Sequence, residues 1–405
     1  FDGTLLLGEL ALDGRVRPVR GVLPAVLAAR AAGLDRAIVP EANLAEARLV
    51  HGIDSAGVDS LARLALWSRG SGDLICRAPE VDRADGDDLT DLGEVIGQDD
   101  CRRAVEVAAA GDHALLLRGA PGTGKTMLAR RLPGLLPDLG EQAALEATAI
   151  HSIMGALPPG DPLLRRPPFV APHPGASSVA LVGGGPASPR PGAVSLAHRG
   201  VLFLDECAEM SATTLDSLRT PLEEGEVRIA RSEGIFVFPA RFQLVLAAND
   251  CPCGAARPDS CTCTPDARRR YGRALSGPLR DRIDISARTL PVGTGLLSVG
   301  EAEDTRSVRD RVTTARAAAA HRWASCPEAN GAASNAGVPG RVLRTLKALD
   351  RHALRPLDRA LAHGVLSARG VDRCLRLAWT VADLDGANAP DESHVAEAMV
   401  LRGDQ

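Results

Sequence analysis

The sequence predicts an α/β fold: a nucleotide-binding module on a buried parallel sheet, preceded by a small α/β piece and followed by an all-helical lid. Three observations predict it. An apolar run at 114–117 leads straight into Gly119-Ala120-Pro121-Gly122-Thr123-Gly124-Lys125-Thr126 and then into the helix-forming Met127-Leu128-Ala129. A second apolar run, 201–204, ends in Asp205-Glu206. Residues 301–402 carry helical periodicity with arginine-rich polar faces.

In order along the chain, residues 1–75 read as an α/β module. A strand is expected at 5–10, a turn at Asp13-Gly14, a helix over 22–32 ended by Gly33, a strand at 37–39 stopped by Pro40, and a helix over 61–67. This segment carries no lysine and no Gly-x-Ser-x-Gly elbow, so no nucleophile is assigned to it. Residues 76–92 are acidic and poor in large apolar groups, which reads as a solvated linker. The nucleotide-binding module is expected over 93–291 and the lid over 292–405. Lid helices are expected at 305–323, 339–352, 356–385 (broken near 367–370) and 391–402.

The 405 residues suffice for two or three domains, and a 45% hydrophobic content with a formal charge of −4 excludes a disordered tail and a globally basic DNA-coating protein. Local basic surface remains open to nucleic acid. The chain holds only two lysines, Lys125 and Lys347, against 45 arginines, so a lysine marks a place that wants a compact point charge. Nine cysteines, four of them clustered, argue against a disulfide scaffold and for a cytoplasmic protein with one candidate metal site. No apolar run approaches the ~20 residues that span a bilayer, so no membrane association is expected. Phe1 is not an initiator residue, and the chain is expected to continue upstream.

The glycines of the 119–126 loop let backbone N–H groups turn inward around phosphates, helped by the helix N-terminus behind them. Gly119, Pro121, Gly122, Thr123 and Gly124 form the cradle, Lys125 reaches the outer phosphates of ATP, and Thr126 holds magnesium. Asp205 positions the same ion and Glu206 orients and polarises the attacking water. Asn249, at the end of an apolar run over 242–248, is expected beside Glu206, where it holds that water or contacts the terminal phosphate. Together these residues predict ATP hydrolysis rather than hydride transfer, because the loop carries a lysine and a hydroxyl instead of the dinucleotide glycine pattern.

With these residues in view, the chain resembles the AAA+ ATPases of the magnesium-chelatase-like family, within the branch that includes the competence-associated branch-migration helicases. The resemblance spans nearly all of the sequence. It rests on Gly97-Gln98, Gly183-Gly184-Gly185, the stretch Pro191-Gly192-Ala193-Val194-Ser195-Leu196-Ala197-His198-Arg199-Gly200, Pro221-Leu222-Glu223, and Ser276-Gly277-Pro278-Leu279-Arg280-Asp281-Arg282-Ile283-Asp284. The resemblance implies a ring, with a hexamer expected and the subunit number not fixed by the sequence. It makes Asn249 the sensor 1 residue, Arg282 an arginine finger reaching the neighbouring subunit's ATP, and Arg369 the sensor 2 residue, with Arg376 as second candidate. A guanidinium delivered from next door stabilises charge on the transferring phosphoryl oxygens and couples hydrolysis to assembly.

It also implies an insertion over 167–191 and a hairpin over 226–238 facing the ring's channel. There Arg228 and Arg231 either contact a DNA backbone, single-stranded or branched, or are ordinary solvated charges. The N-terminal segment resembles part of a Lon-protease-like, S5-like domain, as a fold and without a catalytic Ser–Lys pair.

Cys251-Pro252-Cys253 and Cys261-Thr262-Cys263 supply four thiols after the Asn249 strand. Their spacing is tighter than that of common zinc knuckles. Structural zinc, free thiols in a compact loop and a redox switch all remain open. The functional expectation is an ATP-driven DNA motor of helicase or branch-migration type. The alternative is a chelatase-type subunit that remodels a metal-insertion enzyme.

Overall fold

The computed structural model describes residues 1–77, 90–157, 162–185, 189–232, 234–255, 258–274, 277–291, 302–345 and 350–403. Most of the acidic run expected as a linker, together with Lys347 and Ser276, lies outside them.

Five parallel strands form the central sheet, in the spatial order Ile285–Arg288, Leu115–Arg118, Gln243–Ala248, Val201–Leu204, Phe169–Val170. Leu115 lies opposite both Val245 and Ile285. Because side chains alternate along a strand, the sheet splits its apolar residues between two cores. Leu115, Leu117, Val201, Phe203, Val245 and Ala247 face one; Leu116, Leu202, Leu204, Leu244 and Leu246 face the other. Burial on both sides explains why these strands read as unbroken apolar runs. All strands point one way, so their C-terminal ends share one edge of the sheet and their N-terminal ends the opposite edge. That division sorts the functional residues.

The first core is closed by the helices Asp99–Gly111 and Lys125–Leu135 and by the helical C-terminal region, whose Val308, Val312, Ala315, Ala319 and Trp323 are buried in it. Trp323 meets Trp379 edge-on at 5.7 Å, and Arg322 lies 4.3 Å above the Trp379 ring. Helix Thr305–Ala324 starts at an Asp304 cap. Ser367 caps Ala368–Leu384, which places the break expected near 367–370. The single helix expected over 339–352 is instead Gly340–Thr345 followed by a separate helix, Arg351–Ala362. Asp350 accepts from His352 N at 3.1 Å there and starts a new helix.

At the N-terminus, Thr4–Leu6, Arg36–Pro40 and Asp54–Val58 form a parallel three-stranded sheet beside helix Val22–Ala31. The strand expected at 5–10 breaks at Gly8, where φ is +154° and a Cβ would come within 2.6 Å of Val16. Glu9–Leu10 then pairs with Val16–Arg17 instead. Pro40 does not stop its strand but ends it inside the ladder, opposite Val58. Buried Glu46 accepts from Leu23 N at 2.8 Å and from the Ser152 hydroxyl, which ties this module to helix Glu141–Met154. The proline- and glycine-rich 167–191 stretch supplies the edge strand Phe169–Val170, anchored by Phe169 stacking on Phe203 at 5.8 Å.

Candidate active site

The phosphate loop leaves the C-terminal end of Leu115–Arg118. Gly119 sits at φ +154°, and a Cβ there would meet Thr289 Oγ1 at 2.2 Å and Thr289 O at 2.5 Å. Only glycine fits that approach. Gly122 and Gly124 are left-handed, at φ +75° and +93°. Thr123 donates to Ala120 O at 2.7 Å and lies 2.6 Å from the Thr289 hydroxyl. Gln98, itself left-handed, accepts from Leu290 N at 3.0 Å and donates to Thr123 O at 3.4 Å. Thr289 and Gln98 therefore brace the loop from both sides. Gln98 was legible only as part of a distinctive stretch, and Thr289 carried no sequence signal.

Lys125 opens helix Lys125–Leu135 and is 8% exposed. Its Nζ donates to Gly119 O and Ala120 O, both at 2.8 Å, and to Asn249 Oδ1 at 3.0 Å. Burial lowers its pKa, and the nearby carboxylates of Asp205, Asp250 and Glu206 partly offset that effect. Thr126 donates to Asp205 Oδ2 at 2.7 Å, and Asp205 Oδ1 accepts from Glu206 N at 2.9 Å. Glu206 is left-handed, at φ +48°, and exposed. The structure thus brings Lys125, Thr126, Asp205, Glu206 and Asn249 together at one sheet edge. A glycine cradle with an ammonium held only by neutral oxygens fits a polyphosphate. A hydroxyl and carboxylate 2.7 Å apart offer the hard oxygens that magnesium takes.

Arg282 lies elsewhere. It precedes Ile285–Arg288, which runs in register with Leu115–Arg118, so it belongs to the N-terminal edge. One strand length, ~13 Å for four residues, separates the two edges. There Arg282 pairs with Glu223, and burial together with the Arg219 and Arg369 charges holds its pKa below the ordinary value. Arg369 is 82% exposed and 3.7 Å from Asp281. Arg219, Glu223, Asp281, Arg282 and Arg369 line one cavity of about 350 Å³. Arg376 is brought neither to this cavity nor to the phosphate loop: its Nε donates to Val338 O at 2.9 Å between lid elements. Sequence reasoning missed Arg219 and did not connect Glu223 to Arg282. The pairing spans about sixty residues of chain and left no local pattern.

The hairpin expected over 226–238 is present as Glu226–Arg231 paired antiparallel with Gly234–Pro239. Arg228 donates to Glu226 at 2.6 Å, and Arg231 donates to Gly185 O at 3.2 Å, which joins the hairpin to the Gly183–Gly184 strand. Ile235 and Val237, opposite Ala230 and Arg228, are exposed.

The four cysteine sulfurs all lie within 4.8 Å of one another. Three of the separations, 3.2, 3.6 and 3.7 Å, approach the ~3.8 Å edge of a tetrahedron with 2.3 Å zinc–sulfur bonds. Hydrogen bonds from Cys251 and from the Ala255 and Thr262 backbone bring the Cys253 thiol down to about 5. Among the described residues no helix is long and apolar enough to cross a membrane.

Known proteins resemble this chain over most of its length. Family models match three parts of the chain: magnesium chelatase subunit ChlI over 91–295, the ChlI C-terminal region over 302–402, and a further model for subunit ChlI of Mg-chelatase over 2–43. The uncharacterised protein Rv2897c of Mycobacterium tuberculosis is 54% identical over 99% of this chain and 79% of its own length. YifB of Escherichia coli is 40% identical over 99% of this chain and 78% of its own length. Competence protein ComM of Haemophilus influenzae is 38% identical over 98% of this chain and 77% of its own length. The chain belongs to the magnesium-chelatase-like (ChlI) family of AAA+ ATPases, close to its ComM/YifB branch, and is an ATP-hydrolysing enzyme.

Proposed function

We propose that this protein is one subunit of a hexameric ring that hydrolyses ATP at subunit interfaces to move along DNA as a helicase or branch-migration motor. One observation carries the reading. The groups that grip phosphate and the Arg282–Arg369 cavity lie at opposite edges of the same sheet, so one chain does not complete its own transition-state site. A second chain turned to bring its arginine edge to the first chain's loop does complete it.

In that site Lys125 and the backbone of Gly119, Pro121, Gly122, Thr123 and Gly124 bind and orient the triphosphate. Glu206 takes the proton of the attacking water, and Asn249, now held by Lys125, turns to the water or the terminal phosphate. Arg282 from the neighbour stabilises charge on the phosphoryl oxygens, with Arg369 beside it on the same side of the interface. Thr126 and Asp205 would hold magnesium, which supplies positive charge to the β and γ phosphates. Cys251, Cys253, Cys261 and Cys263 would hold a structural zinc that stiffens the loop after Asn249; four protein ligands leave no position for chemistry.

The action on DNA is supported by the likeness to a competence protein and by the Arg228/Arg231 hairpin, whose arginines would meet the phosphate backbone without reading sequence. The same reading keeps 1–75 as a partial Lon-like domain, 76–92 as a linker, 93–291 as the ATPase core and 292–405 as the lid, in the cytoplasm. ATPase rates on assembled protein with single-stranded, duplex and four-way-junction DNA test it. Stimulation by DNA, strongest with the junction, is expected. Indifference to all three, with stimulation by a metal-insertion enzyme, would favour the chelatase-type reading that the shared core also permits.

A further inference from the structure

The cavity that contains Arg282 is built as an anion receptor already filled by its own carboxylates. Three guanidiniums, Arg219, Arg282 and Arg369, face two acids, Glu223 and Asp281. Glu223 pairs with Arg282, and Asp281 stands 3.7 Å from Arg369. Arg219 and Glu223 are four residues apart on the short helix Arg219–Glu224, so they share one face of it. The Nε of Arg219 is buried without a hydrogen-bond partner, and Asp216, which faces it at an ion-pair distance of 3.8 Å, is not part of the cavity lining. The receptor therefore holds a third cation that its own carboxylates leave underused.

We infer that Glu223 is a positioning residue that parks Arg282 until a neighbouring subunit presents its nucleotide, and that Arg219 then joins Arg282 as a second cation on that nucleotide's phosphates. This rests on the interface reading above. The Glu223 side chain is 62% exposed, so water screens its carboxylate and weakens the pair with the less exposed Arg282. A triphosphate offers several charged oxygens in one place and competes well for the same guanidinium. Exchange of carboxylate for phosphate is therefore downhill only when the phosphate arrives in register, as assembly delivers it. In the lone chain the carboxylate repels stray nucleotide from the arginine edge. The cost of breaking the Glu223–Arg282 pair then sets the concentration at which the ring forms around ATP.

Four variants of the whole chain test this: Glu223→Gln, Glu223→Asp, Arg219→Ala and Arg282→Ala. Each is assayed for ATPase rate against protein concentration, and for binding of a fluorescent ATP analogue by dilute protein. Glu223→Gln should lower the protein concentration giving half-maximal rate by about three- to tenfold and leave the plateau rate within about twofold, with Glu223→Asp close to the parent. Arg219→Ala should lower the plateau rate about tenfold and leave analogue binding by dilute protein unchanged. A Glu223→Gln concentration curve that superposes on the parent, or a lower plateau for it, overturns the parking role. An Arg219→Ala plateau at the parental rate overturns the second-cation role. Arg282→Ala separates the layers. If it hydrolyses at the parental rate, the interface reading itself fails; if it is dead while the other variants match the parent, only this inference fails.

Discussion

The two edges of the central sheet bind the same phosphate in the proposed site, yet they are built in opposite ways. At the C-terminal edge Lys125 is buried and held by two backbone carbonyls and an amide, so it is fixed without being neutralised. At the N-terminal edge Arg282 and Arg369 are both set against carboxylates on the surface. One edge is preorganised by hydrogen bonds within its own chain. The other is provisional and ready to exchange partners. In the proposed ring this difference places control of hydrolysis at the arginine edge: the phosphate loop would be ready in a lone chain, whereas the arginine edge would wait for assembly.

The sharpest way to break this comparison is to disable one edge in each of two chains. Lys125→Ala and Arg282→Ala should each lower ATPase about 10³-fold, the scale of losing a key charge on a transferring phosphoryl group. Mixed in equal amounts before assembly, they should recover activity. Random mixing puts an intact loop against an intact Arg282 at roughly a quarter of interfaces in a closed ring. Rates of the mixture at the level of either variant alone would show that the edges do not meet between subunits.

The second test loads the arginine edge through acid. His198 lies just before strand Val201–Leu204, 1% exposed; its Nδ1 accepts from Arg241 N at 3.0 Å and its Nε2 lies 3.3 Å from Glu146. Burial pushes its pKa down to about 4, against the favourable pull of Glu146. The unfolded chain, with an ordinary histidine near 6.5, thus binds more protons than the folded one between these values. Stability fully present above about pH 6.5 is lost as pH falls toward 4, by about 3 kcal/mol at the low end. Chemical denaturation across that range should show the slope, and His198→Gln should flatten it.

The phosphate edge has its own structural weak point. Gly119→Ala should cost about 2 kcal/mol of nucleotide affinity, about thirtyfold, by forcing the loop off Thr289. Adding Thr289→Ala removes the contact with Oγ1 but not the 2.5 Å contact with the backbone carbonyl, so it should not rescue binding. Calorimetric titration of both variants with ATP would show a rescue if the side chain alone were responsible.

This asymmetry also explains what the sequence could show. The loop, Asp205-Glu206 and Asn249 are legible because each is a strand end followed by its polar residue, a pattern contained in about ten positions. The helix break expected near 367–370 is local too, and the structure sets it at the Ser367 cap. Thr289 and Gln98 brace the loop across 166 and 25 residues of chain, and nothing near either one announces it. Phe169–Val170 is two residues long, too short for alternation to register, and became a strand because Phe203 gave Phe169 a surface to stack on. The break at Gly8 depends on where Val16 returns. Arg376 lines neither the arginine cavity nor the phosphate loop; its guanidinium is held by the Val338 carbonyl within the C-terminal helical region. In a chain with 45 arginines, identity says little; the acid or carbonyl that meets each one says more.

The smallest effect, and the one that isolates the loop edge, is alkaline. Lys125 must be an ammonium to bind phosphate, and burial lowers its pKa below the ordinary lysine value of 10.5. As pH rises, the free enzyme loses that proton earlier than an exposed lysine would, so kcat/KM for ATP should fall along a limb centred below 10.5. Because bound phosphate favours the charged form, kcat at saturating ATP should hold to higher pH than kcat/KM. Arg282 stays protonated throughout, since a guanidinium keeps its charge in proteins. A limb in kcat/KM that is absent from kcat therefore reports the loop edge alone. Asp205→Asn removes one of the carboxylates that support the ammonium and should move the limb further down. Coincident limbs in kcat and kcat/KM, unmoved by that substitution, would assign the titration to some group other than Lys125.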